Sequence, residues 1–112
     1  MVIASISLLL LGAVFGVALA LKIFQEQTPT LVIAVIHGIA AATGLLIAVL
    51  AALQPDAASS VKAGASLLIV AALGGFVLLS SHFRGVRHSK PLVVVHAAVA
   101  VSGVGSLAYS LL

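Results

Sequence analysis

The chain has 112 residues, of which 63% are hydrophobic and only 6% charged, with a formal net charge of +3. About a quarter of the residues of a soluble domain are charged, so this composition excludes a soluble catalytic domain and predicts an integral membrane protein. Cysteine is absent, which excludes disulfides, iron–sulfur clusters and thiolate metal sites, so any cofactor must be held by histidine or oxygen ligands.

Four apolar segments follow one another along the chain, separated by short stretches that hold the charges and turn formers. Each segment is long enough to span a bilayer, which needs about 20 apolar residues per helix. The first segment is predicted to be an uncleaved helix and not a signal peptide, because no basic residues follow Met1. The predicted helices cover residues 2–24, 31–53, 61–83 and 91–112, and they form a single transmembrane domain, 1–112.

Polar residues and prolines between the segments predict where each helix begins. Loops this short force neighbouring helices to run antiparallel. The predicted fold class is therefore all-α, an integral membrane four-helix bundle with up-down-up-down topology. The predicted capping residues are Thr28 with Pro29 for the second helix, Ser59 or Ser60 for the third, and Ser89 with Lys90 and Pro91 for the fourth.

The basic residues predict the orientation of the bundle. Lys62 alone lies at one end, and four basic residues lie at the other. Because cytoplasmic ends carry the excess of lysine and arginine, the end with four is predicted to be cytoplasmic. Both termini are then periplasmic, in a bacterial inner membrane, and the charge indicates topology and not nucleic-acid binding. The four residues are Lys22, Arg84, Arg87 and Lys90.

The two halves of the sequence resemble each other at a shift of 59 residues. At this shift His37 aligns with His96, and Gly44 with Gly103. The repeat predicts two tandem helical hairpins that enter the membrane from the same side, related by a pseudo-two-fold axis along the membrane normal. Further identical pairs are Leu8 and Leu67, Gly16 and Gly75, Phe24 and Phe83, Ala41 and Ala100, and Leu53 and Leu112.

His37 and His96 are ionisable residues inside apolar spans, where such groups commonly have a function. At 1.5 Å per residue they lie roughly 8 to 12 Å from the charged end. The second and fourth helices are diagonal in a sequential bundle, so the two imidazoles can face one central space. A facing pair is what a six-coordinate haem iron requires. Small residues farther along each helix, including Gly44 and Gly103, would clear a face for the macrocycle.

The same features also suit a protein without a cofactor. Small residues at helical spacing let membrane helices pack closely, and a membrane histidine can hydrogen-bond a neighbouring helix. The alternative is therefore a cofactor-free accessory or structural subunit of a larger membrane complex. His82 and His88, near the charged end, are open to several roles: an interfacial group, a replacement ligand, a propionate partner or a proton-exchange group near a quinone.

The four-span layout, with His37-Gly38 on the second helix and Lys90-Pro91 before His96 on the fourth, resembles small membrane b-type cytochromes. These are the cytochrome b561-like bundles and the haem-bearing membrane anchors of succinate dehydrogenase. The resemblance implies one haem b near the cytoplasmic side, with His37 and His96 as axial ligands of its iron.

The resemblance also implies that Arg84 and Arg87 lie near the haem propionates. It implies electron transfer to or from a quinone or another redox partner, within a complex of membrane subunits, and not a stand-alone enzyme. The sequence departs from the two-haem b561 pattern because it has no second histidine pair near the opposite face. Polar and acidic side chains for a quinone site are also scarce.

Overall fold

The structure, a computed structural model, describes all residues from 1 to 112 and consists of four α-helices. All four are long and apolar enough to cross a membrane. α1 packs mainly on α2, and α3 on α4, while the diagonal pairs barely touch. The predicted all-α membrane bundle of two hairpins is therefore confirmed. The helices are α1 (Val2–Phe24), α2 (Leu31–Ala52), α3 (Ser59–Phe83) and α4 (Lys90–Tyr109).

The helix boundaries agree with the sequence to within three residues, but two predicted caps are wrong. The turn that ends α1 extends through Gln27, whose N–H bonds to the carbonyl of Lys22, so Thr30 and not Thr28 precedes α2. Ala58 precedes α3 because its carbonyl accepts the first helical hydrogen bonds. The cap of α4 is confirmed, since the Ser89 hydroxyl accepts from the N–H of Leu92 at 3.2 Å.

The hydrophobic core lies at one end of the bundle, which we call the core end. The core joins the two hairpins close to the α2–α3 loop and both termini. Ala48 and Leu107 are completely buried in this core. No equivalent cluster joins the hairpins at the opposite end, the charged end, formed by the turns at residues 25–30 and 84–89. The core residues are Leu9, Ala48 and Ala51 of the first hairpin and Val61, Ala65, Leu68 and Leu107 of the second.

The two hairpins repeat each other in three dimensions. Glu26 after α1 and Gly85 after α3 both have positive φ, 58° and 63°. The N–H of the next residue then bonds to a carbonyl five residues earlier: Gln27 donates to Lys22, and Val86 donates to Ser81. This hydrogen bond defines the Schellman motif at the end of a helix. The two turns at the charged end therefore share one backbone conformation, as the sequence repeat predicts.

Candidate functional site

The two membrane histidines meet between the hairpins. The ring centroids of His37 on α2 and His96 on α4 are 6.2 Å apart, and their planes are nearly perpendicular, at 77°. Both residues are half-buried. The structure thus brings together the two residues that the sequence singled out, although they come from diagonal helices whose backbones barely approach.

Each imidazole is held by a carbonyl of its own hairpin. Nδ1 of His37 lies 2.7 Å from the carbonyl oxygen of Gly12, and Nδ1 of His96 lies 2.7 Å from that of Ala71. A carbonyl can only accept, so Nδ1 carries the proton in both rings. Nε2 of each neutral ring is then an acceptor with a free lone pair, and neither makes a hydrogen bond. In metal sites of known proteins, a hydrogen bond of this kind at one ring nitrogen fixes the tautomer of the ligating histidine.

A glycine forms the surface against which each ring lies. A Cβ on Gly16 would be 2.9 Å from Cε1 of His37, and a Cβ on Gly75 would be 3.3 Å from Cε1 of His96. The Nδ1–Cε1 edge of each ring therefore faces its own hairpin. Nε2 is in each ring the nitrogen farther from the glycine.

These four supporting residues were not identified from the sequence as part of the site. Gly16 and Gly75 form a matched pair in the repeat, but nothing in the sequence assigns them to the histidines. The carbonyls of Gly12 and Ala71 give no sequence signal, because every residue has one. The usable signal was the coincidence of matched glycines on α1 and α3 with matched histidines on α2 and α4.

Gly44 and Gly103 lie away from the imidazoles, nearer to the core end. A Cβ on Gly44 would be 2.7 Å from Cγ of Leu9, and one on Gly103 would be 2.8 Å from Cγ of Leu68. Both glycines are buried in the contact between the two helices of their own hairpin. Their observed use is close packing, and their role beside a macrocycle stays a prediction.

Arg84 and Arg87 lie at the charged end. Arg84 follows the last residue of α3 and is exposed. Arg87 is 94% exposed, and one of its guanidinium nitrogens is 3.9 Å from the Glu26 carboxylate. Glu26 also forms an ion pair with Lys90. The hydrogen bond and charge of Lys90 hold the pKa of the Glu26 carboxyl below its usual range. Glu26 thus links the two hairpins across the charged end.

An open cleft of about 700 Å³ lies between the two turns of the charged end. His82 and His88 both line it, with ring centroids 6.4 Å apart. Burial, and then the neighbouring His82, lower the pKa of the His88 imidazole. Half of the remaining lining residues are polar or charged, and they come from both hairpins. The structure therefore places His82 and His88 in a site distinct from the central pair.

The central pair offers two protein ligands, fewer than most protein metal sites use. No group of three or more histidine, cysteine, aspartate or glutamate side chains comes together in the structure, whereas zinc sites use three or four protein ligands. Haem iron takes its equatorial ligands from the porphyrin and needs two axial ones. With metal–nitrogen bonds of about 2 Å and ring centres about 1 Å beyond, two axial imidazoles are about 6 Å apart. The observed 6.2 Å fits.

No family model, no curated protein and no solved structure matches the chain. Its function must therefore be argued from the geometry of the histidine pair.

Proposed function

We propose that this protein is a membrane b-type cytochrome or haem-bearing membrane anchor that transfers electrons through one haem b held between His37 and His96. The observation that carries the proposal is the pair of free Nε2 atoms, each fixed by a carbonyl bond at Nδ1 of its own ring. Each Nε2 is free to bind a proton, a water or a Lewis acid, and the two rings lie close enough for one ligand to reach both.

The surroundings support an iron-bound state of the pair. Donation from Nδ1 to a carbonyl orients a ligating imidazole and raises its basicity. Gly16 and Gly75 let each ring lie against its own hairpin, and the hydrophobic core that joins the hairpins lies nearer the opposite end of the bundle. A haem supplies reversible one-electron chemistry when bound, and the chain supplies its orientation and its apolar surroundings.

The charged end is the natural direction for the propionates. Arg84 and Arg87 lie there, and arginine pairs well with carboxylates. Glu26 now occupies one side of Arg87, so a propionate would compete with it. We place the charged end in the cytoplasm of a bacterial inner membrane, with the termini periplasmic, because four of the five basic residues lie at that end. The electron partners would be other membrane subunits, a redox protein or a quinone.

The test is a dithionite-reduced minus air-oxidised absorption spectrum of the full chain, expressed with ample haem, together with a pyridine haemochrome assay. We expect a sharp b-type α-band and about one haem per chain, since the bundle offers one axial pair. His37→Ala and His96→Ala should each abolish the band, whereas His82→Ala, at the charged end, should retain it. A featureless wild-type spectrum would exclude the cytochrome.

The second candidate is a cofactor-free subunit of a larger membrane complex. Its support is that both histidines already hydrogen-bond a neighbouring helix, α1 or α3. If wild-type protein lacks haem and His37→Ala keeps its fold, pull-down of the native complex under mild detergent would identify the partners.

A further inference from the structure

The cleft at the charged end breaks the symmetry of the repeat. Both turns line it, but its arginine and its two histidines come from the second hairpin alone. Arg87 and His88 stand where the first hairpin has Thr28 and Pro29. Since the backbones of the two turns match, the folding of the turn does not require these basic side chains.

The donors in this cleft are largely unused by the protein. Neither His82 nor His88 makes a hydrogen bond, and Arg87 reaches Glu26 only at 3.9 Å. Glu26 is the one acidic residue lining the cleft, and its closer partner is Lys90. The cleft is therefore positive overall, with a guanidinium and two imidazoles free to bind an anion.

The position of the cleft matches that of a lipid headgroup. It lies where α1 and α3 end and α2 and α4 begin, at the level of the membrane surface. The outer sides of the helices just below carry exposed Phe24 and Phe83. An amphiphile with its head in the cleft can lay its acyl chains on this apolar surface, which a free anion cannot do.

We infer that this cleft binds the phosphate of an anionic phospholipid, with Arg87, His82 and His88 as donors. Basic pockets between transmembrane helices recognise such headgroups, and charge-assisted hydrogen bonds to phosphate are strong. The inference does not rest on the proposed haem, because it uses only residues of the charged end.

The acid–base chemistry of the cleft makes phosphate binding depend on pH. A bound phosphate favours the protonated form of the His88 imidazole and opposes the effects that lower its pKa. The other charged groups facing the cleft are Arg87, Lys90 and Glu26, whose pKa is lowered, so His88 is the group expected to gain a proton between about pH 8 and 5. Binding should therefore tighten as the pH falls through this range.

The experiment is native mass spectrometry of the full chain in detergent, titrated with phosphatidylglycerol or with phosphatidylcholine of the same acyl chains. We expect preferential retention of phosphatidylglycerol and a loss of about fivefold for each cation removed, in Arg87→Gln and, at pH 5.5, in His88→Gln. Glu26→Gln removes the only carboxylate of the cleft and should tighten binding. Lys62→Gln, which removes one cation at the core end, is the matched control.

Three results would overturn the inference: equal retention of the two lipids, an equal loss in Lys62→Gln, or displacement by inorganic phosphate without lipid preference. The last would assign the cleft to free phosphate. The titration is repeated on the His37→Ala/His96→Ala double variant, which has no axial ligands. Retained preference in this variant separates the lipid site from the haem, and lost preference would contradict the separate site argued here.

Discussion

A backbone carbonyl decides which nitrogen of each central imidazole carries the proton. Gly12 and Ala71 supply these carbonyls, and they leave Nε2 of both His37 and His96 without a hydrogen atom. A lone membrane histidine bonded to a helix would satisfy only its own ring. Two histidines held in the same way, with ring centroids 6.2 Å apart, are the basis of the haem site proposed above.

Gly16→Ala and Gly75→Ala should disturb the histidines to different degrees. A Cβ at position 16 falls 2.9 Å from the His37 ring, closer than real contacts allow, whereas one at position 75 falls 3.3 Å from the His96 ring. Gly16→Ala should therefore lower haem occupancy and the low-spin signal more than Gly75→Ala. Haem occupancy is measured by absorption, and the low-spin signal by electron paramagnetic resonance.

Gly38→Ala is the control for these variants, because nothing lies within 4 Å of its Cβ. Alanine is favoured over glycine in a helix by about 0.5–1 kcal/mol, so this variant should be slightly more stable, and binding of the proposed haem should be unchanged. Equal behaviour of the three variants would show that the glycines do not position the rings.

At the scale of the helices and turns, the two hairpins repeat each other in packing and in backbone conformation. The charged side chains of their turns do not repeat. Leu9 fits over Gly44 in the first hairpin, as Leu68 fits over Gly103 in the second. The left-handed residue after α1 is Glu26, where the second hairpin has Gly85. A carboxylate at this strained position reaches Lys90 of the other hairpin, so the first turn contributes a link between hairpins that glycine cannot provide.

Gly85→Ala should destabilise the second hairpin by about 1 kcal/mol, because a Cβ is disfavoured at φ of +63°. Reversible unfolding in mixed micelles measures the change. Gly105→Ala, a helical position with open space around its Cβ, should have the opposite sign. A neutral Gly85→Ala would mean that the turn relaxes out of the left-handed conformation.

At the scale of the whole molecule, the two hairpins are joined unequally along their length. The buried apolar core joins them at the core end, and Glu26 links them across the charged end. Van der Waals packing is the main attraction between membrane helices, so the core end determines whether the bundle assembles. The charged end holds the open cleft between the two turns.

Leu107→Ala should cost about 2 kcal/mol or more, since Leu107 is completely buried and its loss leaves a cavity between the hairpins. Unfolding in detergent mixtures tests this, with Leu50→Ala as the matched control because Leu50 is 45% exposed. Equal effects of the two variants would argue against a core that holds the hairpins together.

The orientation of the molecule can be tested directly because the chain contains no cysteine. Gln25→Cys places a thiol at the charged end, and Asp56→Cys places one in the exposed loop at the core end. A membrane-impermeant maleimide applied to intact cells should label Asp56→Cys and not Gln25→Cys, because the charged end is expected inside. The reverse labelling would invert the proposed topology.

The sequence by itself determined the four spans, their antiparallel order, the charged end and the hairpin repeat. These depend on the length of apolar runs, on short loops and on residue spacing, all of which are local properties. The caps of α2 and α3 were misplaced because the ending of α1 and the first bonds of α3 depend on backbone geometry that residue type does not determine.

Only the tertiary structure decided what surrounds each histidine. The contact of His37 with Gly12 and Gly16, and that of His96 with Ala71 and Gly75, depend on how each helix is rotated about its own axis. In a chain that is apolar on every side, the hydrophobic pattern does not set this rotation. Close packing of small residues sets it, which is why the repeat could identify the histidines while the structure had to show where their nitrogens point.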